Sequence, residues 1–212
     1  LNHINLWLAD DGDSWTVIDT GLKDARIMEL WDQVFDRFLD GKPVKRVIVT
    51  HMHPDHVGLA GWICEKYDAR LVMSRTDWIM GRMLSGNAQE VPPEFVFDFH
   101  RDMGTPEEHM DILRNQGYGS FARGVYPMPA VYERLKEGDR ISLAGSEWQI
   151  MMGYGHAPEH ACLYSSELGV LIAGDQILPR ISPIVGVYPG EPMANPLQEF
   201  LESLESLKAN HI

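Results

Sequence analysis

Val44-Lys45-Arg46-Val47-Ile48-Val49-Thr50-His51-Met52-His53-Pro54-Asp55-His56 (VKRVIVTHMHPDH) is the stretch that decides how this chain reads. Its first seven residues are rich in β-branched side chains and read as a buried strand. Directly after them, three imidazoles and one carboxylate fall within six residues. Packing does not account for such a cluster. Each member needs a polar partner if buried, and their crowding disfavours protonation. A divalent metal meets both needs, because neutral imidazole and ionised carboxylate are its natural ligands. In an extended turn His51 and His53 can face one way while Asp55 and His56 face another, which allows two metals. The competing reading is a solvated histidine-rich loop.

Two distant residues count against that competitor. His156 lies in Gly153-Tyr154-Gly155-His156-Ala157-Pro158, a Gly-flanked loop between two strand candidates. Asp175 follows Leu171-Ile172-Ala173-Gly174, where a buried strand delivers a carboxylate at its end. Either alone is an ordinary strand-end residue; with the first cluster they form a ligand set.

Around this set the chain alternates strands and helices. His3–Ala9 and Ser14–Thr20 flank Asp10-Asp11-Gly12-Asp13, a hairpin signature. Asp24–Leu39 carries apolar residues at helical spacing before Gly41 and Pro43. Gly58–Tyr67 reads as a helix and Ala69–Ser74 as a strand. Arg140–Gly153, Ala161–Ser165 and Gly169–Ala173 are three further strand candidates. A last helix spans about Asn195–Ala209, with Leu197, Phe200, Leu201, Leu204 and Leu207 on one face. Strand–helix–strand order of this kind implies a layered α/β fold. The segment of about 76–131 breaks the rhythm, with Pro92-Pro93, the run Phe95–Phe99, a helix over Thr105–Gln116 and several glycines.

The composition bounds the function. The 212 residues are 44% hydrophobic and 23% charged, enough for a real core. A formal charge of −13 argues against a phosphate-binding surface, so no nucleic-acid partner is expected. No apolar stretch reaches the length of a membrane span, so no membrane partner is expected either. Cys64 and Cys162 lie far apart in separate apolar segments and form no disulfide framework, which makes a reducing, cytoplasmic location the default. The chain starts at Leu1 inside an apparent strand. It reads as one domain, 1–212, cut from a longer polypeptide and lacking a C-terminal portion.

The residues His51, His53, Asp55 and His56, the loop histidine His156 and the pair Gly174-Asp175 resemble the metallo-β-lactamase-fold hydrolase superfamily, and within it the glyoxalase II and lactonase-like branch. Ile18-Asp19-Thr20-Gly21 resembles the family's early strand-end Asp-Thr-Gly. The resemblance runs from about Ile4 to Leu207. It implies a four-layer αββα sandwich, here with a helical insert, and a metal site at one edge of the two sheets. Carried over by position, His51, His53 and His156 hold a first metal, Asp55 and His56 a second, and Asp175 bridges them. The implied cofactor is two divalent ions: zinc, with iron or manganese as alternatives. Two cations would yield a metal-bound hydroxide, with Asp55 orienting it and passing its proton to the leaving group. Asp19 is read either as orienting a ligand histidine or as a plain turn cap.

One feature departs from the family pattern. The last ligand histidine, in a Pro-x-His-Gly-like turn, is not evident. His211, 36 residues after Asp175, reads as a helix-end cation, and the missing ligand is expected beyond Ile212. His160 is read as at most a supporting neighbour of the ligands. The long segment 76–131 is expected either to wall the site as a lid, its aromatics receiving an apolar acyl or aryl group, or to pack a small core or an oligomer interface of its own.

Three functions compete. The first is a metal-dependent hydrolase of a small ester, lactone or thioester. The second is a mononuclear-iron oxidoreductase resembling persulfide dioxygenases. The third is a metal-stabilised interaction module without catalysis. The expected partner is a small-molecule substrate, with homo-oligomerisation open.

Overall fold

The computed structural model describes residues 4–209; His3 and His211 lie outside that range. The first sheet holds β1 (Trp7–Asp10), β2 (Trp15–Ile18), β3 (Val44–Ile48), β4 (Arg70–Met73) and β5 (Glu133–Arg134), in that spatial order. β1 and β2 form the expected antiparallel hairpin, and the remaining pairs are parallel. Parallel neighbours need crossovers, supplied here by α1 (Ala25–Phe38) and by α2 (Pro54–Val57) with α3 (Ala60–Tyr67). Asp24 starts α1 by accepting the Arg26 N–H, and Trp31 and Phe35 face the sheet.

The second sheet is antiparallel, in the order β6 (Arg140–Leu143), β7 (Ser146–Gly153), β8 (His160–Ser165), β9 (Val170–Ile172). The single strand expected over Arg140–Gly153 is therefore two. The chain reverses at Ala144-Gly145, where both residues take positive φ (50° and 75°), the geometry of a tight two-residue turn.

Alternation along the strands makes the layers. Ile18, Ile48, Val72 and Leu135 of the first sheet meet Leu143, Trp148, Ile150, Leu163 and Ile172 of the second. Their sequence neighbours Val17, Val47 and Leu71 point the other way, onto Trp31, Phe35 and Ile63 of α1 and α3. Met151 and Cys162, on the far face of the second sheet, meet Leu207. The result is the expected αββα sandwich, with the central strands of both sheets covered on either face.

The final helix, α8 (Pro196–Ala209), turns only part of the expected face inward. Phe200, Ser203 and Leu207 are buried, while Leu197 and Leu201 are exposed. The Ser203 hydroxyl accepts the Tyr154 N–H (2.9 Å), which draws that side of the helix against the loop carrying His156.

The segment between β4 and β5 is helical: α4 (Arg75–Ser85), α5 (Glu94–Asp102), α6 (Glu107–Gln116) and α7 (Ser120–Gly124). Its aromatics pair with one another and with the neighbouring core. Phe95 lies edge-on to Tyr118 (ring centroids 6.3 Å apart) and Trp78 stacks on Tyr132 (4.3 Å). Val96, Phe97 and Met110 are buried.

Candidate metal centre

All six sequence-predicted ligands come to one edge of the sandwich. β3 ends at Ile48, so Thr50 and His51 leave the sheet buried, and Pro54 opens the short helix that carries Asp55 and His56. The turn after β2 braces this helix. Thr20 Oγ1 donates to the His56 carbonyl (2.8 Å) and accepts the Leu59 N–H (3.0 Å).

His51 Nε2 lies 3.0 Å from His53 Nδ1 and 3.2 Å from His156 Nε2, and His53 Nδ1 is 3.0 Å from His156 Nε2. Asp175 stands beside this triangle. Its Oδ1 is 3.3 Å from His56 Nε2 and its Oδ2 is 3.6 Å from His156 Nε2. Among the described residues, two groups have ligand atoms close enough to share an ion: His51, His53, His156, and His51, His56, Asp175. Asp55 reaches His56 Nε2 at 3.9 Å and stands outside both groups, its side chain 33% exposed.

Partners on the far ring nitrogens decide which atom each imidazole presents. His156 Nδ1 donates to the Ile184 carbonyl (2.8 Å). His56 Nδ1 donates to Asp19 Oδ2 (2.8 Å). Thr50 Oγ1 donates to Asp19 Oδ2 (2.8 Å), which leaves its lone pair to accept from His51 Nδ1 (3.1 Å). The Nε2 atoms of His51 and His156 therefore both present bare lone pairs, while His56 turns Nε2 toward Asp175 Oδ1 (3.3 Å). With these tautomers no proton lies between His51 and His156 across their 3.2 Å contact. Lone pairs facing lone pairs at this distance repel, and a cation accepted by all of them removes the repulsion. The donor set fits divalent metal.

The electrostatics agree. Burial, reinforced by the surrounding imidazoles, holds His51 well below the usual histidine value, and it pushes His53 down to about 4. Burial works against charge on His56 too. There the Asp19 and Asp175 carboxylates outweigh it and lift the metal-free group to about 10. Burial would raise Asp175, but the facing His56 holds its carboxyl below the ordinary value.

Asp19 orients His56. It is buried, at φ 56°, and also accepts the Thr50 N–H (2.8 Å). His160 is fully buried, stacks on His51 (ring centroids 4.6 Å apart), and accepts the Asp175 N–H on Nε2 (3.1 Å). It thus sets the angle at which Asp175 enters. Asp77 is not apparent from the sequence as part of this site. Ser74-Arg75-Thr76-Asp77 has the spacing of a helix start. In the fold that carboxylate reaches the backbone of both ligand-bearing turns.

Gly174 shows how tight the assembly is. Its φ is 51°, and a Cβ there would stand 2.6 Å from His160 Nε2 and 2.9 Å from Thr50 Oγ1. Gly174→Ala is therefore expected to cost about 3 kcal/mol, from backbone strain plus overpacking. Denaturant unfolding checks this, and wild-type stability would contradict it.

A family model described as the metallo-beta-lactamase superfamily matches residues 1–210. A beta-lactamase domain protein from Burkholderia ambifaria is 41% identical at a TM-score of 0.85, over 97% of this chain and 59% of that one. A metallo-beta-lactamase family protein from Thermus thermophilus is 30% identical at 0.76, over 96% of this chain and 64% of that one. A hydroxyacylglutathione hydrolase from Hydrogenovibrio crunogenus is 31% identical over 100 residues, 47% of this chain and 33% of that protein. The chain thus spans less than two thirds of each of these relatives. A histidine–aspartate cluster at the sheet edge, an αββα frame and a family match running nearly end to end agree: the chain belongs to the metallo-beta-lactamase superfamily.

Proposed function

We propose that this site is a binuclear metallo-hydrolase centre, loaded with zinc, that cleaves a small ester, lactone or thioester with an apolar acyl group. The observation that carries it is the placement of Asp175, whose two oxygens face His56 and His156 on opposite sides. Divalent cations held by these residues would supply Lewis acidity toward the scissile carbonyl and lower the pKa of a bound water to about 7. The chain's own groups do the rest. Asp55, the most exposed carboxylate of the cluster, takes the proton of the attacking water and returns it to the leaving oxygen or sulfur. Asp19 and the Ile184 carbonyl keep His56 and His156 presenting Nε2 throughout.

Beside Asp55 opens a cavity of about 580 Å³, lined by Leu6, Leu8, Leu22, Ile27 and Trp31. Its size and apolar walls suit an acyl chain. Those walls come from β1, α1 and the segments before each of them, and none of the cavity's lining residues belongs to the insert. The similarity to a hydroxyacylglutathione hydrolase supports acyl-group hydrolysis. The −13 charge favours a small molecule over nucleic acid, and the two buried free thiols favour a reducing cytoplasm. No helix among the described residues is long and apolar enough to cross a membrane.

Elemental analysis of the full-length protein, with turnover of an ester, thioester and lactone series, tests the proposal. Two zinc ions per chain are expected. So is a kcat/KM rising roughly fourfold per added methylene until the cavity is full, from about 0.8 kcal/mol per buried CH2. A single iron with dioxygen uptake would replace this reading by the persulfide-dioxygenase-like one. Full metal without turnover of any acyl substrate would leave the non-catalytic module.

A further inference from the structure

Asp77 lies on the first turn of α4, away from the six ligands in sequence, yet it touches the frame that holds them. Its side chain is fully buried. Oδ1 accepts the Met52 N–H at 2.8 Å; Met52 stands between His51 and His53. Oδ2 accepts the Glu159 N–H at 2.7 Å and the Ser74 hydroxyl at 3.3 Å. Glu159 comes three residues after His156 and directly before His160, the residue that receives the Asp175 N–H. The Glu159 carboxylate answers by accepting the Thr76 N–H at 2.7 Å, so α4 and the His156 turn are tied in both directions.

We infer that Asp77 is a positioning residue of the metal centre: one carboxylate that locks the His51–His53 turn to the His156–His160 turn before any metal arrives. The inference rests on the metal-centre reading above and not on the identity of the substrate. Imidazole nitrogens that repel one another at 3.0–3.2 Å spread apart unless their backbones are restrained. The two amides that Asp77 holds belong to the two turns that would separate. Burial lifts its carboxyl to about 6 against the hydrogen bonds from Met52 and Glu159, so at pH 8 it is ionised and both oxygens accept. An asparagine keeps the volume but offers one accepting oxygen, and its NH2 faces an N–H donor. It therefore releases one of the two turns.

Co(II) titration of the full-length, chelator-treated protein at pH 8 tests this. Asp77→Asn is expected to bind Co(II) about 10–100-fold more weakly per folded molecule than wild type, with an altered d–d absorption spectrum. A carboxylate that served stability alone would lower the unfolding temperature and leave affinity and spectrum unchanged, and that result overturns the inference. Wild-type protein that takes up no Co(II) overturns the metal-centre reading and this inference together. Amide exchange on metal-free wild type keeps the inference open to refutation even if the variant does not fold. The Met52 and Glu159 amides are expected to be protected about tenfold or more over their free-chain rates. Exchange at the free-chain rate overturns the inference.

Discussion

His51→Ala is expected to abolish tight binding of divalent metal and to reduce hydrolysis on the order of 10³-fold, equivalent to about 4 kcal/mol of lost transition-state stabilisation. The effect exceeds that expected for any other single ligand, because His51 belongs to both groups of converging ligand atoms. It also separates a ligand from a core residue. In the metal-free protein the substitution relieves nitrogen–nitrogen contacts at 3.0 and 3.2 Å, which offsets much of the cavity it leaves. Variant and wild type should then unfold within about 2 kcal/mol of each other without metal. On adding zinc only the wild type should gain stability, since a ligand stabilises the state that binds it. Metal content after dialysis, unfolding with and without zinc, and ester turnover check these three points. A variant that keeps its metal would refute the assignment of His51.

The second large effect is expected at Asp19. Removing its carboxylate in Asp19→Ala leaves the Thr50 N–H, the Thr50 hydroxyl and His56 Nδ1 without their acceptor in a buried site. The expected loss is about 3–5 kcal/mol, as for one partner of a buried pair. A pH scan of the metal-free protein tests the cause. His56 is lifted from an ordinary value near 6.5 to about 10, with burial opposing the shift and Asp19 and Asp175 overriding it. A raised pKa adds stability that is fully present below about pH 6.5 and is lost as pH rises through about 10. In Asp19→Asn most of that decline between pH 6.5 and 10 should disappear, because the largest favourable charge is gone. A slope equal to that of the wild type would show that Asp19 does not govern His56.

Much of the architecture is legible in the chain because its signals are local. β2 and β3 are rich in buried β-branched residues, so they read as strands despite Lys45 and Arg46, and α1 carries its stripe at the helical period. The Asp10–Asp13 turn and the metal-ligand spacing need no distant partner to be recognised. The misreadings arise where a distant contact overrides the pattern. Ala144-Gly145 lacks the Asn-Gly or Asp-Gly signature of a tight turn, and the apolar rhythm runs straight through it. α8 presents Ser203 inward in place of Leu197 and Leu201, because a backbone amide of the His156 loop needs an acceptor there. Aromatic content leaves the insert open either as a wall of the site or as a small core of its own, and in the fold Phe95 meets Tyr118 and Trp78 meets Tyr132. The apolar cavity that Asp55 lines draws its other walls from residues roughly 20 to 50 positions upstream of Asp55.

By itself the sequence determined which imidazoles and carboxylates would converge, their delivery from strand ends, and the layered order of strands and helices. Only the tertiary structure decided which nitrogen each imidazole turns toward its neighbours. That choice is made by whatever accepts a hydrogen bond on the opposite side of the ring. For His56 the acceptor is Asp19, 37 residues away, and for His156 it is a carbonyl 28 residues away. The Asp-Thr-Gly resemblance offered Asp19 as one of two readings without naming its ring, and nothing marked the Ile184 carbonyl, because the chain must fold before either ring meets its acceptor.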